Sequence, residues 1–295
     1  MYGILGNSFG GTFPYAPRYL DINGFPMHFV DEGEGDPIVM LHGDPTWGYL
    51  FRKFIPPLSL KGRCIVPDHM GMGKSAAPRW LYPYRLRHHV SNLENLLLCL
   101  DLHAITLVVH DWGGPVGLGF AVRHSTRIKR LVILNTWAFG KWPGGPLPRL
   151  LKIIRSEQGE KFILERNGYV EPALLRTACR PENLTKNVMD AYLAPFPTPE
   201  SRLALLSWTR DIPLDEKDPS YPDMAEIEAG LSRFRRTPVL LLWGMQDPVL
   251  PEPVLRMWQR IFPQAVTHEF EDAGHFLPED SPVRAVLRIE DFLNS

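Results

Sequence analysis

Val108-Val109-His110-Asp111-Trp112-Gly113-Gly114 is the stretch on which the reading of the fold turns. The apolar and β-branched residues Ile105, Leu107, Val108 and Val109 run into an acid, a Gly pair and then the helix-like Val116–Val122. That order predicts a buried strand, a sharp turn and a helix, with Asp111 at the apex. Gly113 and Gly114 would let the helix start close against the strand, since no Cβ intervenes. A carboxylate at such an apex is ionised at neutral pH and attacks carbon without help from a general base. The product of that attack is an alkyl ester, which water must then hydrolyse. An Asp here also fits a plain helix N-cap, so the elbow needs support from elsewhere in the chain.

Two loops near the C-terminus supply it. Val239-Leu240-Leu241-Leu242-Trp243-Gly244 is a buried strand by composition and ends in Met245-Gln246-Asp247-Pro248. Phe270-Glu271-Asp272-Ala273-Gly274-His275-Phe276 follows a strand-like run and puts His275 on a loop. Taken singly, Asp247 is a turn residue before proline and His275 a capping or loop histidine. With Asp111 they stand at strand ends in the order nucleophile, acid, histidine, which is the order of the α/β-hydrolase fold. In that arrangement Asp247 orients the imidazole and His275 activates the hydrolytic water. Earlier, Ile38-Val39-Met40-Leu41 leads into His42-Gly43-Asp44-Pro45-Thr46-Trp47. This loop is expected to aim the Asp44 backbone N–H, with that of Trp112, at the ester carbonyl oxygen. Pro67-Asp68-His69-Met70-Gly71-Met72-Gly73-Lys74-Ser75 follows the strand Cys64-Ile65-Val66. It lacks P-loop spacing and is expected to be a tight strand-to-helix connection.

The remaining chain reads as one sheet domain interrupted once. Tyr19–Ile22 and Met27–Glu32 read as paired antiparallel strands, with Asn23-Gly24 as the turn signal. From Ile38 to Asn135 short apolar strands alternate with helix-like stretches. One of these is Val90–Leu100, with Val90, Leu93, Leu97 and Leu100 on one face. Such alternation predicts an α/β fold with a mostly parallel, doubly wound sheet. Phe139 to Pro213 holds helical stretches and many prolines but no convincing buried strand, and the alternation resumes at Pro238. The expected organisation is a core of residues 1–138 and 214–295 with a helical cap inserted at 139–213. The cap would close an apolar pocket over the elbow, drawing its lining from Phe139, Phe162, Leu164 and Phe196. Asp215-Glu216-Lys217-Asp218 reads as a solvated loop, and Arg233, Arg235 and Arg236 as a basic surface.

Composition narrows the partners. With 32 Lys and Arg against 33 Asp and Glu in 295 residues, the formal net charge is −1. Nothing there marks nucleic acid or an anionic membrane as a partner. Cys64, Cys99 and Cys179 lack metal-ligand spacing, and an odd count argues against a full disulfide framework. Met1–Gly6 has neither the basic start nor the long apolar region of a signal peptide, and no apolar run is long enough to span a bilayer. The expectation is a soluble cytoplasmic protein acting on a small apolar substrate and compatible with a homo-oligomer. No metal or organic cofactor is implied.

From about Phe13 onward the chain resembles the haloalkane dehalogenase family of α/β-hydrolases. The resemblance rests on His42-Gly43-Asp44-Pro45-Thr46-Trp47, His69-Met70-Gly71-Met72-Gly73-Lys74-Ser75, His110-Asp111-Trp112-Gly113-Gly114 and Asp272-Ala273-Gly274-His275. It extends to Tyr19-Leu20-Asp21-Ile22-Asn23-Gly24 and Ala194-Pro195-Phe196-Pro197. One subgroup of that family carries Glu at the end of the strand Leu131–Leu134, where this chain has Asn135, and this favours Asp247 as the acid. The other subgroups include, or closely resemble, the β-lactone decarboxylases of bacterial olefin biosynthesis, and motifs alone separate the two activities poorly.

Residue 44 departs from the pattern. Many dehalogenases have Asn after His-Gly, and its amide joins a Trp indole in holding the leaving halide. Asp44, read as ionised, offers acceptors only and would repel a halide. Another subgroup has Glu here and recruits a second Trp from the cap, but no Trp lies between Pro143 and Ser207. Trp112 is therefore the firmer halide donor, while Trp137 and Trp142 are either second donors or packing at the domain interface. The resemblance implies displacement of halide from a haloalkane, with β-lactone decarboxylation as the alternative. Epoxide hydrolysis is a third reading and needs Tyr169 or Tyr192 to protonate the opening oxygen. A catalytically dead binding module would make the order of Asp111, Asp247 and His275 accidental.

Overall fold

The alternating apolar runs become eight strands of one sheet in the computed structural model, which describes residues 8–79, 82–145 and 149–294. The Met1–Gly6 stretch lies outside them. In chain order the strands are β1 (Arg18–Ile22), β2 (Phe25–Glu32), β3 (Pro37–Leu41), β4 (Arg63–Pro67), β5 (Ile105–His110), β6 (Ile128–Leu134), β7 (Val239–Gly244) and β8 (Val266–Phe270). They lie in the order β1-β2-β4-β3-β5-β6-β7-β8. Pairing is antiparallel from β1 through β2 to β4 and parallel from β4 onward. The expected mostly parallel sheet is present, with an antiparallel hairpin at one edge. Asn23 and Gly24 both take positive φ, as the two-residue hairpin between β1 and β2 requires.

Every residue of β3, β5 and β7 is buried. Continuous Val, Ile and Leu runs suit strands covered on both faces, where a period-two pattern has no solvent side to report. After β3 the chain crosses to β4 on one side and then to β5 on the other, so strand order reverses between β3 and β5. Crevices at the C-terminal ends of strands flanking such a reversal are where α/β sheets bind ligands. The loop carrying Asp44 and the elbow carrying Asp111 leave the sheet at those two ends.

Between β6 and β7 the described residues hold helices and no strand. The segments Arg149–Ile154, Glu157–Leu164, Val170–Thr177, Lys186–Leu193 and Leu203–Arg210 form the inserted cap region. Tyr221–Gly230 packs instead on the helix Gly113–Arg123 of the sheet domain. Buried polar contacts tie cap to core. Trp47 Nε1 donates to the Ala191 carbonyl at 3.1 Å, and Tyr192 donates to the buried Glu279 at 2.5 Å. Glu279 also accepts from Arg52 and from Lys53, so its charge is compensated where water is absent.

Two local expectations need correction. The helix expected from Val90 begins at Leu86 and runs to Cys99, because Asp211 of the cap-to-core segment accepts the Leu86 amide at 2.8 Å and Arg85 at 2.7 Å. The run 67–75 is not a tight strand-to-helix connection, since the next helix starts only at Leu86. It is a buried loop wound around Asp68, which accepts the Gly48 and Lys74 amides at 2.7 Å each and meets His28 at 2.8 Å. Gly71 and Gly73 take the left-handed turns of this loop.

Candidate active site

Asp111 sits at the end of β5 with φ of +49°, a left-handed conformation that few non-glycine residues adopt. The surroundings fix it there. Its amide donates to the Asn135 carbonyl at 3.2 Å, and its own carbonyl accepts from the Gly114 amide and the Thr136 hydroxyl. A Cβ on Gly113 would collide with the Leu41 carbonyl, so the helix can begin this close to β3 only with glycine. The elbow therefore lifts the Asp111 carboxylate above the sheet edge, with 6 % of the residue exposed.

The three side chains expected to meet do meet. His275 Nδ1 lies 2.8 Å from Asp247 Oδ2, and its Nε2 lies 3.4 Å from Asp111 Oδ2. Asp247 is saturated with donors. Oδ1 accepts the Val249 and Leu250 amides at 2.7 and 3.0 Å, and Oδ2 also accepts Asn135 Nδ2 at 2.8 Å. Burial opposes the charge on Asp247, but His275 and these amides outweigh it and hold the carboxyl below the usual range. Burial alone would lower the His275 value. The Asp247 charge and the hydrogen bonds to Asp111 and Asp247 reverse that and push it up to about 10. The resting site is thus an imidazolium between two carboxylates.

Asn135 does more than stand in for a missing Glu. Besides Asp247 it bonds the Gly244 carbonyl at 3.1 Å and the Gly244 amide at 2.8 Å, which locks the end of β6 to the end of β7. A polar residue directly after four buried apolar ones, on the strand beside the elbow, was the available signal.

The Asp44 amide donates to Asp111 Oδ1 at 2.9 Å, as expected of the loop after β3. The second expected donor, the Trp112 amide, makes no hydrogen bond to Asp111 in this state. The side chain of Asp44 differs from expectation. Burial lifts its carboxyl well above the ordinary range; a hydrogen bond from Tyr169 opposes this, and the charge on Asp111 adds to it. These surroundings therefore favour a neutral Asp44 carboxyl over the ionised acceptor expected from the sequence. Tyr169 donates to its Oδ2 at 2.6 Å, while Oδ1 is buried without a partner. The sequence offered Tyr169 only as a proton donor to an epoxide; Tyr192, the other candidate, is committed to Glu279 and does not line the cavity.

A cavity of about 610 Å³ opens over Asp111. Asp44, Trp112, Trp137, Trp142, Tyr169 and His275 line its inner part, with Leu151, Ile153, Ala173, Ile212 and Val249 among the apolar walls and Arg149 and Arg176 exposed at its border. Phe139, Phe162, Leu164 and Phe196 were expected here and do not line it. Phe139 packs on Trp258, the Phe162 ring lies against Gly168, and Leu164 and Phe196 are buried within the cap. Faces of helices this short cannot be ranked from periodicity over two turns. Trp137 and Trp142 line the cavity, but their indole nitrogens are shut in without partners. Among the described residues no cluster of His, Cys, Asp or Glu is arranged to hold a metal ion.

Comparison with known proteins gives the family of the chain. Residues 36–282 match the family described as alpha/beta hydrolase fold. A cis-3-alkyl-4-alkyloxetan-2-one decarboxylase of Shewanella oneidensis is 38 % identical over 95 % of this chain and 89 % of its own. Haloalkane dehalogenase 1 of Mycobacterium bovis is 34 % identical over 94 % of this chain and 92 % of its own. The solved structure of a haloalkane dehalogenase from Agrobacterium tumefaciens superposes with a TM-score of 0.87 at 26 % identity, covering 98 % of this chain and 99 % of that one.

Proposed function

Because the chain belongs to the α/β-hydrolase family, as a haloalkane dehalogenase-like enzyme related to the β-lactone decarboxylases, we propose that it opens and decarboxylates a cis-3,4-dialkyl oxetan-2-one through Asp111. With Asp111 Oδ1 held by the Asp44 amide, Oδ2, which faces His275 Nε2 at 3.4 Å, is the attacking atom. Attack on the ring carbon that bears oxygen forms the carbon–Asp111 ester bond and breaks the carbon–oxygen bond. The displaced pair stays on the substrate as a carboxylate. That carboxylate then loses CO₂, and the freed pair makes the alkene double bond as Asp111 departs with its original electrons. Lactone becomes alkene and CO₂, with no water consumed and no net proton moved. His275, as imidazolium between Asp111 and Asp247, favours Asp111 as the departing carboxylate.

The observation that carries this reading over halide release is the identity of 38 % to the decarboxylase against 34 % to the dehalogenase. The Asp44 side chain is tied to Tyr169 and offers no amide.

Halide displacement is the second reading, favoured by Trp112, whose indole N–H is tied down by no hydrogen bond beside the attacking carboxylate. There, ester formation would cancel the Asp111 charge that helps keep His275 protonated, freeing the imidazole to activate water. The two readings separate in one assay. Wild-type protein with a cis-3,4-dialkyl oxetan-2-one should yield alkene and CO₂ in equal amounts, and bromoalkanes should turn over at least about tenfold more slowly. Recovery of a β-hydroxy acid in place of alkene, or bromide release faster than lactone turnover, would overturn the lactone reading.

A further inference from the structure

The Asp44–Tyr169 pair is unexplained by attack of Asp111 alone. It joins the loop after β3 to the cap at the wall of the cavity, and it leaves a buried oxygen, Asp44 Oδ1, with nothing to bond. Native proteins rarely bury a polar atom unsatisfied without a use for it. Charge counting bears on that use. Among the described residues, Asp44, Asp111 and Asp247 share one site with a single cation in contact, His275, which already lies between Asp111 and Asp247. His42, two residues before Asp44, is buried and held below its ordinary value, first by desolvation, so it supplies no second charge. Tyr169 faces Asp44 from the cap as a neutral hydroxyl, and Arg149 and Arg176 are exposed and make no contact with it. A charge on Asp44 would leave two uncompensated carboxylates together.

We propose that Asp44 is a catalytic hydrogen-bond donor, a neutral carboxyl held at Oδ2 by Tyr169, whose hydroxyl hydrogen bonds the oxygen that leaves carbon. This rests on the attack by Asp111 proposed above. As the carbon–oxygen bond breaks, the electron pair moves onto the carboxylate oxygen, and the Asp44 O–H shares the new charge. The proton stays on Asp44 throughout. Full transfer would give a carboxylic acid, which cannot release CO₂ while its own pair is bound to hydrogen. Asp44 therefore lends its proton and keeps it, and the site returns to its starting state with CO₂ and alkene gone.

Two measurements test this. The infrared difference spectrum of wild type minus Asp44→Asn near neutral pH should contain the carbonyl band of a protonated carboxyl and lack the paired bands of a carboxylate. In lactone turnover Asp44→Asn, which still carries a donor, should stay within about fivefold of wild type. Asp44→Leu, with no donor, should lose about 10²-fold in kcat with KM little changed. A carboxylate signature at position 44, a fully active Asp44→Leu, or an Asp44→Asn as inactive as Asp44→Leu would each overturn the donor role. Should Asp44→Leu be unfolded by circular dichroism, the infrared spectrum and the Asp44→Asn rate still decide. Wild-type failure to make alkene sinks the lactone reading instead, whatever the protonation of Asp44.

Discussion

Asp111 pays for its position in backbone strain, since a non-glycine residue at φ of +49° costs about 1–3 kcal/mol. What the strain achieves is exposure of one carboxylate oxygen to the cavity while the other is held by an amide. His275 gains the opposite kind of energy. Its folded-state value of about 10 lies above the roughly 6.5 of an unfolded histidine. The imidazolium therefore stabilises the fold fully below the unfolded value, and this is lost as pH rises through about 10. The melting temperature of wild type should fall more steeply from neutral pH to about pH 10 than that of His275→Phe; parallel curves would disprove the coupling. Asp111 and Asp247 were legible in the sequence because each follows a strand whose apolar run announces itself, and His275 because it comes after them in the order of the fold. The partnership of Asp44 with Tyr169 was not, because the two are 125 residues apart and no local pattern links them. Nor could composition reveal that burial and the charge beside it raise the Asp44 carboxyl.

Among the elements, strands were read nearly to the residue and helix starts were not. β7 lies where the run Val239–Gly244 put it, since a fully buried strand must be apolar at every position. The helix Leu86–Cys99 starts a turn before its periodic apolar face begins. Its first amide is satisfied by Asp211, which also accepts the Ser220 hydroxyl at 2.6 Å. Asp211→Ala would strand a buried amide and hydroxyl and free Arg85. It should cost about 1–3 kcal/mol of stability, measured by urea unfolding, with KM for lactone unchanged. A rise in KM without loss of stability would mean that Asp211 shapes the cavity rather than the helix. The inserted cap region could be expected from the change of pattern after Asn135, but its lining could not, because the walls come from several short helices whose mutual rotation is a tertiary matter.

Across the whole molecule a set of buried neutral histidines sets the acid limit. Burial is the leading cause at each of them: His42 is lowered, His69 lies well below its ordinary value, His89 falls to about 3 and His110 to about 4. A depressed histidine contributes its full stability above about pH 6.5 and loses it as pH falls toward the folded value, at roughly 1.4 kcal/mol per unit per group. His89 has no partner on either ring nitrogen and stacks on Trp208 with centroids 3.8 Å apart. His89→Phe keeps the stack and removes one titration, so its urea midpoint should decline less than that of wild type between about pH 6.5 and 4.5. Equal declines would exonerate His89. The helix Val170–Thr177 has a consequence of another kind. Tyr169 at its start grips Asp44, and the Thr177 carbonyl at its end accepts the His275 amide at 2.9 Å. Just beyond, Asp280 takes the Cys179, Arg180 and Gly274 amides. To swing this helix aside would scatter the groups it braces. One short helix thus braces the Asp44 loop and the His275 loop together, so a change in it would misalign both sides of the site at once.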